Sequence, residues 1–144
     1  MAGESIDSLY LEVSAVLVRY ASGIDRRDWA LFRSCFTPDC TIDYGDIGAW
    51  NSADEITAFM VAVHENCGST LYRISNIDVE SLSNGARARS YVDAVIMSPD
   101  NSDGVRAIGS YDDRLVHSYD AGWQIANRRF ATAHVGTVGG EALL

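Results

Sequence analysis

The spacing of apolar residues along the chain changes mainly at one point, near Cys67-Gly68. Before that point, apolar residues recur every three or four positions, which is typical of amphipathic helices. After it, apolar and polar residues alternate in long runs separated by turn residues, which is typical of antiparallel strands. Helices followed by an antiparallel meander predict an α+β domain, in which a bent sheet wraps the first helix and leaves a cone with an open end.

Three helices are predicted, each with a recognisable boundary. Ser5 can cap the first helix, and Gly23 suits its C-terminus. Asp28 caps a shorter second helix. The stretch Ser52–Glu55 fits a capping box and begins a third helix, which ends at Cys67-Gly68.

The predicted strands begin with a short one at Cys40–Tyr44, between the second and third helices. The later alternation predicts four long strands, at residues 71–81, 86–98, 105–119 and 123–134. The alternation changes phase near Ser75-Asn76, which predicts a β-bulge. The glycine-rich tail, residues 135–144, is predicted to be loose.

The bulk properties bound the class of protein. A length of 144 residues predicts one domain, spanning residues 1–144. A net charge of −9 argues against nucleic acid and anionic membranes as partners, because both bind basic surfaces. No run reaches the roughly 20 apolar residues of a membrane span, and no signal peptide is evident, so a cytoplasmic protein is expected.

The residues that could bind metals or cofactors lack the necessary spacing. The three cysteines, which are Cys35, Cys40 and Cys67, show no CxxC pattern and are expected to be reduced and structural. The three histidines, which are His64, His117 and His134, show no ligand spacing. Neither a phosphate loop nor a dinucleotide fingerprint is present. We therefore expect no metal and no cofactor.

Asp25 is the residue whose position is hardest to explain as purely structural. It follows the glycine that ends the first helix, while Asp28 already provides the better cap for the second. Because it is flanked by Ile24 on the inner side of the first helix, Asp25 is expected to be desolvated, with a raised pKa. We predict that Asp25 lies at the floor of a buried pocket.

Period-two alternation assigns residues of two strands to shared faces. One face carries Tyr91, Asp93, Val95 and Met97. Another carries Ala126, Arg128, Phe130, Thr132 and His134. The other two histidines, His64 beside Glu65 and His117 near a hairpin end, are expected on the surface.

Motifs along nearly the whole chain resemble the SnoaL-like branch of the NTF2-like superfamily. They are Tyr20–Trp29, Thr41–Gly45, Ile74–Asn76, Arg89–Tyr91, Asp113–Val116, Gly122–Ile125 and Arg128. The resemblance implies a cystatin-like α+β barrel. Within the branch, the chain looks most like scytalone dehydratase and bile-acid 7α-dehydratase, which carry out cofactor-free eliminations on polycyclic hydroxy-ketones.

The resemblance implies a set of site residues. Asp25 matches the pocket aspartate, Tyr44 a carbonyl-holding tyrosine, and Tyr20 a tyrosine that orients the aspartate. Asp93 and Arg128 would match a second aspartate and an arginine, facing inward as a pair. The remaining implied substrate-binding residues are Tyr91, Met97 and Phe130.

The chain departs from the pattern at Tyr72, where both families place the histidine that pairs with the aspartate. Tyr72 could help Tyr44 to polarise a carbonyl, and His134 could restore a base. The expected catalytic set is therefore Asp25, Tyr44, Tyr72 and His134.

The leading functional hypothesis is a cofactor-independent lyase or isomerase, a dehydratase or aldol-type cyclase, acting on a small apolar polyketide- or steroid-like cyclic hydroxy-ketone. A non-catalytic binding module for an apolar ligand is an alternative, favoured by the missing histidine. A limonene-type epoxide hydrolase is another, since Asp25, Asp93 and Arg128 could mimic its Asp–Arg–Asp set. The family resemblance also implies a homodimer or homotrimer.

Overall fold

The computed structural model of the protein describes residues 5–139. Three helices, one 3-10 turn and six strands follow one another along this range. In chain order they are α1 (Ile6–Asp25), α2 (Trp29–Ser34), β1 (Phe36–Asp43), the 3-10 turn (Gly45–Ile47), β2 (Ala49–Trp50), α3 (Ala53–His64), β3 (Thr70–Leu82), β4 (Gly85–Met97), β5 (Asp103–Ser118) and β6 (Gly122–Gly139).

Each of the three helices begins directly after its predicted capping residue. The side chains of Ser5, Asp28 and Ser52 each accept a hydrogen bond from a backbone N–H of the first helical turn that follows. The prediction for Gly23 was wrong, because α1 continues to Asp25. A Cβ at Gly23 would lie 2.9 Å from the backbone nitrogen of Phe32, so this glycine allows α1 and α2 to approach closely.

The six strands form one mixed sheet in the order β2-β1-β6-β5-β4-β3. Strands β3 to β6 are a continuous antiparallel meander, and β1 joins it by pairing parallel with β6. Helix α1 contacts both β3, at one edge of the sheet, and β6, near the other. The sheet is open, with β2 and β3 at its edges, and α1 packs across it from β3 to β6, so the predicted α+β fold is confirmed.

Two details of the sheet bear on the site. The predicted bulge in β3 is present: the register shifts between Ser75 and Asp78, and Asn76 has a positive φ of 49°. The prediction of a loose tail was wrong as far as Gly139, because β6 pairs with β5 to that residue. Residues 140–144 of that prediction lie outside the described residues. Within residues 5–139, no helix is both long and apolar enough to cross a membrane.

Candidate functional site

A cavity opens between the inner face of the sheet and helices α1 and α3. The cavity volume is about 160 Å³, which is below the roughly 300–1,000 Å³ of pockets for drug-sized ligands and suits a small molecule. Apolar side chains form most of its wall, and the polar groups are phenols and one imidazole. The lining residues are Tyr20, Tyr44, Ile47, Phe59, Met60, Val63, His64, Tyr72, Val92, Ala94, Ile96, Ala107, Tyr111 and Phe130.

Three tyrosines share a hydrogen-bonded network on one side of this cavity. The Tyr20 hydroxyl lies 2.9 Å from that of Tyr44 and 3.1 Å from that of Tyr111. Burial raises the pKa of all three phenols well above the usual value, so they stay protonated at neutral pH. Three hydroxyls carry three protons, and two of these are used within the network. One O–H therefore remains to donate to a ligand.

A buried ion pair lies behind the tyrosines. Arg128 Nε and Nη2 donate to the two carboxylate oxygens of Asp113 at 2.7 and 2.8 Å, and neither side chain is exposed. The guanidinium carbon lies 4.3 Å from the ring centroid of Tyr20 and 3.7 Å from that of Tyr111. Burial lowers the pKa of Arg128, but the Asp113 carboxylate, together with Tyr44 and Tyr20, makes the net shift upward, so the guanidinium stays charged.

The predicted pairing of Asp93 with Arg128 was therefore wrong. Asp93 lies on the outer face of the sheet, where it accepts hydrogen bonds from Arg73 and Arg106. These contacts lower the pKa of Asp93. The partner of Arg128 is Asp113, which the sequence marks only as part of a family motif and not as a site residue.

Tyr72 and His64 form a second polar pair in the cavity wall. The Tyr72 hydroxyl lies 2.9 Å from His64 Nε2, and His64 Nδ1 lies 2.8 Å from the Met60 carbonyl oxygen. The carbonyl can only accept, so Nδ1 carries the proton, and in the neutral ring Nε2 accepts from the phenol. The prediction of a surface His64 was wrong, since the residue is only 3% exposed.

Asp25 lies near this pair but not in the wall of the cavity formed by the described residues. Its two carboxylate oxygens accept from the Thr70 hydroxyl at 2.9 Å and from the backbone N–H of Tyr72 at 3.1 Å. Burial raises the pKa of Asp25, as the sequence predicted, although these hydrogen bonds and the nearby Arg27 act to lower it. The expectation that Asp25 forms the floor of the pocket was wrong, because its oxygens hold the start of β3.

Arg27 completes this support. Its Nη1 donates to the Ile24 carbonyl and to Thr70 Oγ1, both at 2.8 Å, and its Nη2 donates to the Gly68 carbonyl at 2.8 Å. These contacts hold Arg27 in the left-handed region, at a φ of 56°. The end of α1 is thereby joined to the start of β3, and this joint fixes the backbone that carries Tyr72.

The inner face of β4 is the one opposite to that expected. Val92, Ala94 and Ile96 line the cavity, whereas Tyr91 is 56% exposed and Met97 lines a separate groove by the loop that joins β4 to β5. Both faces of this strand are partly apolar, so alternation alone could not choose between them. The charged residues Arg87, Arg89 and Asp93 share the face of Tyr91, and this pattern marks that face as the one exposed to solvent.

The β6 assignments were right at one end and wrong at the other. Arg128 is buried and Phe130 lines the cavity, as expected. His134 is exposed and lies beyond a register shift between β5 and β6, so it is not positioned to replace the missing histidine. His117 is exposed, as predicted, and packs edge-on against Trp123.

Sequence reasoning missed two cavity residues that carry polar groups, His64 and Tyr111. His64 follows Ile56 by eight positions and Met60 by four, so it continues the buried stripe of α3. Tyr111 lies on the same face of β5 as the buried residues Asp113 and Leu115. In both cases the periodicity was present, but for His64 the charged neighbour Glu65 suggested a surface position.

The described residues contain no group of three or more histidine, cysteine, aspartate or glutamate side chains able to hold a metal ion. Cys35, Cys40 and Cys67 form no disulfide with one another. Burial raises the pKa of Cys35 and that of Cys40 to about 11, so both remain thiols at neutral pH.

Residues 8–129 match the family described as the SnoaL-like domain. The chain belongs to this family. The matched segment includes most of α1, all of α3 and the four tyrosines that line the cavity, and the predicted membership is confirmed. A search of curated protein sequences gave no match.

Solved structures similar to this SnoaL-like domain share its fold. A protein from Novosphingobium aromaticivorans, provisionally named a scytalone dehydratase, has a TM-score of 0.80 at 20% identity, over 91% of this chain and 88% of that one. A protein of unknown function with a cystatin-like fold, from Nostoc punctiforme, has a TM-score of 0.73 at 16% identity, over 91% and 95%. A hexachlorocyclohexane dehydrochlorinase, LinA type 2, has a TM-score of 0.76 at 13% identity, over 93% and 91%.

Proposed function

We propose that this SnoaL-like protein is a cofactor-independent lyase or isomerase that removes a proton next to the carbonyl of a small, largely apolar cyclic hydroxy-ketone. The observation that carries the proposal is the make-up of the cavity. Its wall is aliphatic and aromatic, and its polar atoms are phenols on one side and a phenol–imidazole pair on another. These are the groups that donate to a carbonyl oxygen and move a proton.

The lining favours a neutral, flat substrate. No carboxylate or guanidinium is among the cavity-lining residues of the described chain, so a charged ligand would lose its hydration without gaining a partner. Aromatic side chains of Tyr44, Phe59 and Phe130 offer faces and edges to a ring system. A polyketide- or steroid-like ketone with few polar groups meets these conditions.

The tyrosine network supplies the carbonyl donor. Tyr44 lines the cavity at one end of the network, and it presents the free O–H when Tyr111 donates to Tyr20 and Tyr20 donates to Tyr44. When the adjacent proton is removed, the C–H electron pair becomes the C=C bond of an enolate, and negative charge develops on the carbonyl oxygen. The positive charge of Arg128, stacked on Tyr20 and Tyr111, favours that charge. The enolate then expels hydroxide, which leaves as water, or attacks a second carbonyl, or is reprotonated elsewhere.

Two of the similar structures bear names that fit an elimination. One is provisionally named a scytalone dehydratase and the other is a dehydrochlorinase. Loss of water and loss of hydrogen chloride both begin with a proton on carbon and a leaving group on its neighbour. This supports the reaction class, and the substrate is assigned from the cavity.

The test is product formation from a panel of bicyclic β-hydroxy-ketones, followed by mass spectrometry. We expect the wild type to form dehydrated or isomerised product, and Tyr44→Phe to lower kcat. The fully exposed Tyr119 provides the matched control, and Tyr119→Phe should behave as wild type. Binding of the ketones without product, by wild type and both variants alike, would contradict the proposal.

A second candidate function is a non-catalytic binding module for an apolar ligand. The specific observation in its favour is that Tyr72 replaces the expected histidine and that both oxygens of Asp25 are already hydrogen-bonded outside the cavity. A binder would show saturable ligand affinity and no pH-dependent turnover. The epoxide-hydrolase alternative is not supported, because Asp93 lies on the outer face of the sheet and cannot join Asp25 and Arg128.

A further inference from the structure

We infer that the proton acceptor of the cavity is the Tyr72–His64 pair, with the phenol oxygen taking the proton from substrate carbon and the imidazole taking the phenol's own proton. The inference rests on the proposed function only for the identity of the carbon acid. The family pattern places the basic nitrogen on β3, whereas here it belongs to the last turn of α3.

The geometry of the pair suits a relay. Both residues line the cavity, and the 2.9 Å between Tyr72 Oη and His64 Nε2 is a normal hydrogen-bond length. The Met60 carbonyl fixes the His64 tautomer, so the lone pair of Nε2 points at the phenol proton. The phenol oxygen donates in this bond and accepts none, so its lone pairs are left to accept from a ligand in the cavity.

The surroundings keep His64 neutral and ready to accept. The titratable and charged groups acting on it are Tyr72 on β3, Asp25 at the end of α1 and Arg27 just after it. Burial lowers the pKa of His64, and Arg27 lowers it further. The Met60 hydrogen bond and Asp25 act in the opposite direction. At neutral pH the imidazole is therefore unprotonated, and the Asp25 carboxylate is close enough to stabilise the imidazolium once it forms.

The proton-transfer step balances without a further reactant. The C–H bond breaks and its proton binds Tyr72 Oη, while the Tyr72 O–H bond breaks and its proton binds His64 Nε2. The products are an enolate and an imidazolium. In the return step the imidazolium gives its proton back through Tyr72 to the departing hydroxyl, which leaves as water, and the pair is restored.

The other candidate bases are less well placed. The Asp25 oxygens accept from Thr70 and from the Tyr72 backbone, outside the cavity wall. His134 is exposed and beyond the register shift in β6. Among the described residues, His64 is the only cavity-lining residue whose side chain carries a basic nitrogen.

The experiment uses nitrobenzisoxazole, a flat apolar carbon acid whose ring opens when a base removes its C–H proton. The N–O bond breaks, a nitrile forms, and the coloured phenolate product is followed by absorbance. The wild type should accelerate this elimination over buffer at the same pH. His64→Gln should reduce the acceleration about 10²-fold, which is the usual contribution of a positioned general base.

Exposed His117 provides the matched control, and His117→Gln should keep the wild-type rate. Retention of the full rate by His64→Gln, or absence of any acceleration by the wild type, would overturn the inference.

A measurement on the wild type alone keeps the test independent of the folding of His64→Gln. NMR of labelled histidine gives the titration midpoint of His64 in the folded protein. The pH–rate profile of the elimination should rise with the same midpoint, below the usual histidine value of about 6.5. Two different midpoints would overturn the inference. Because the probe has no carbonyl, elimination that depends on His64, with no turnover of any hydroxy-ketone, would instead count against the proposed function alone.

Discussion

Removing the carboxylate of Asp113 should destabilise the protein more than removing any exposed carboxylate. Both partners of the Asp113–Arg128 pair are fully buried, and two charge-assisted hydrogen bonds of 2.7 and 2.8 Å join them. In Asp113→Ala, the guanidinium would remain in the core with no counter-charge. Leaving a buried charge unpaired typically costs about 3–5 kcal/mol.

The matched control is Asp93→Ala on the outer face of the same sheet. Asp93 also contacts two arginine nitrogens at 2.8 Å, but its partners Arg73 and Arg106 are 63% and 45% exposed. Exposed pairs contribute roughly 0.2–1 kcal/mol each, because water screens them and the side chains lose entropy. The two variants remove the same group from similar pairings, so the difference between them measures burial.

Urea unfolding at neutral pH measures the free energy of unfolding of each variant. The expected difference between Asp113→Ala and Asp93→Ala is about 2–4 kcal/mol. The double variant Arg128→Met/Asp113→Leu removes both charges and should recover most of the loss, since buried pairs often exchange for apolar residues at little cost. Equal losses in the two single variants, or a double variant no more stable than Asp113→Ala, would refute the reasoning.

Three further predictions concern the cavity. Tyr44→Phe should lower kcat for a hydroxy-ketone substrate about 10²-fold with little change in KM, because the lost O–H acts mainly on the developing oxyanion; steady-state kinetics measure this, and a change in KM alone would contradict it. Because the folded pKa of His64 is lowered, its contribution to stability is present above about pH 6.5 and is lost as pH falls through the folded pKa. Urea unfolding across this range should show the slope in wild type and not in His64→Gln, and the same slope in both would count against it. Asp25→Asn should cost about 1–3 kcal/mol, because an amide cannot accept both the Thr70 and Tyr72 hydrogen bonds; thermal unfolding checks this, and an unchanged midpoint would show that the joint contributes little.

The order of elements was predictable because each boundary has a local cause. Ser5, Asp28 and Ser52 cap helices by hydrogen bonds within one turn, and the phase change near Asn76 marks the bulge directly. The inward position of Tyr20 follows from the stripe of α1, and that of Tyr44, directly after β1, from its alternation with buried Cys40 and Ile42. These features depend on neighbours along the chain, which a sequence displays.

The site was harder to predict because it depends on contacts between distant segments. Asp113 and Arg128 are paired by the register of β5 against β6, and the Tyr72–His64 contact joins a strand to a helix end. The family resemblance suggested Asp93 as the partner of Arg128, but Asp113 fills that place. The alternation of the last strand suggested His134 as a base, but His134 is exposed. Cytoplasmic location and assembly into a homodimer or homotrimer remain predictions.

Proton abstraction next to a carbonyl can be measured without knowing the step that follows it. The protein is incubated in heavy water with a bicyclic ketone such as tetralone, and NMR follows the replacement of the α-hydrogens by deuterium. The account predicts exchange faster than in buffer for wild type and His117→Gln, and strongly slowed exchange for His64→Gln and Tyr44→Phe. Bound ketone whose α-hydrogens exchange no faster than in buffer would contradict it.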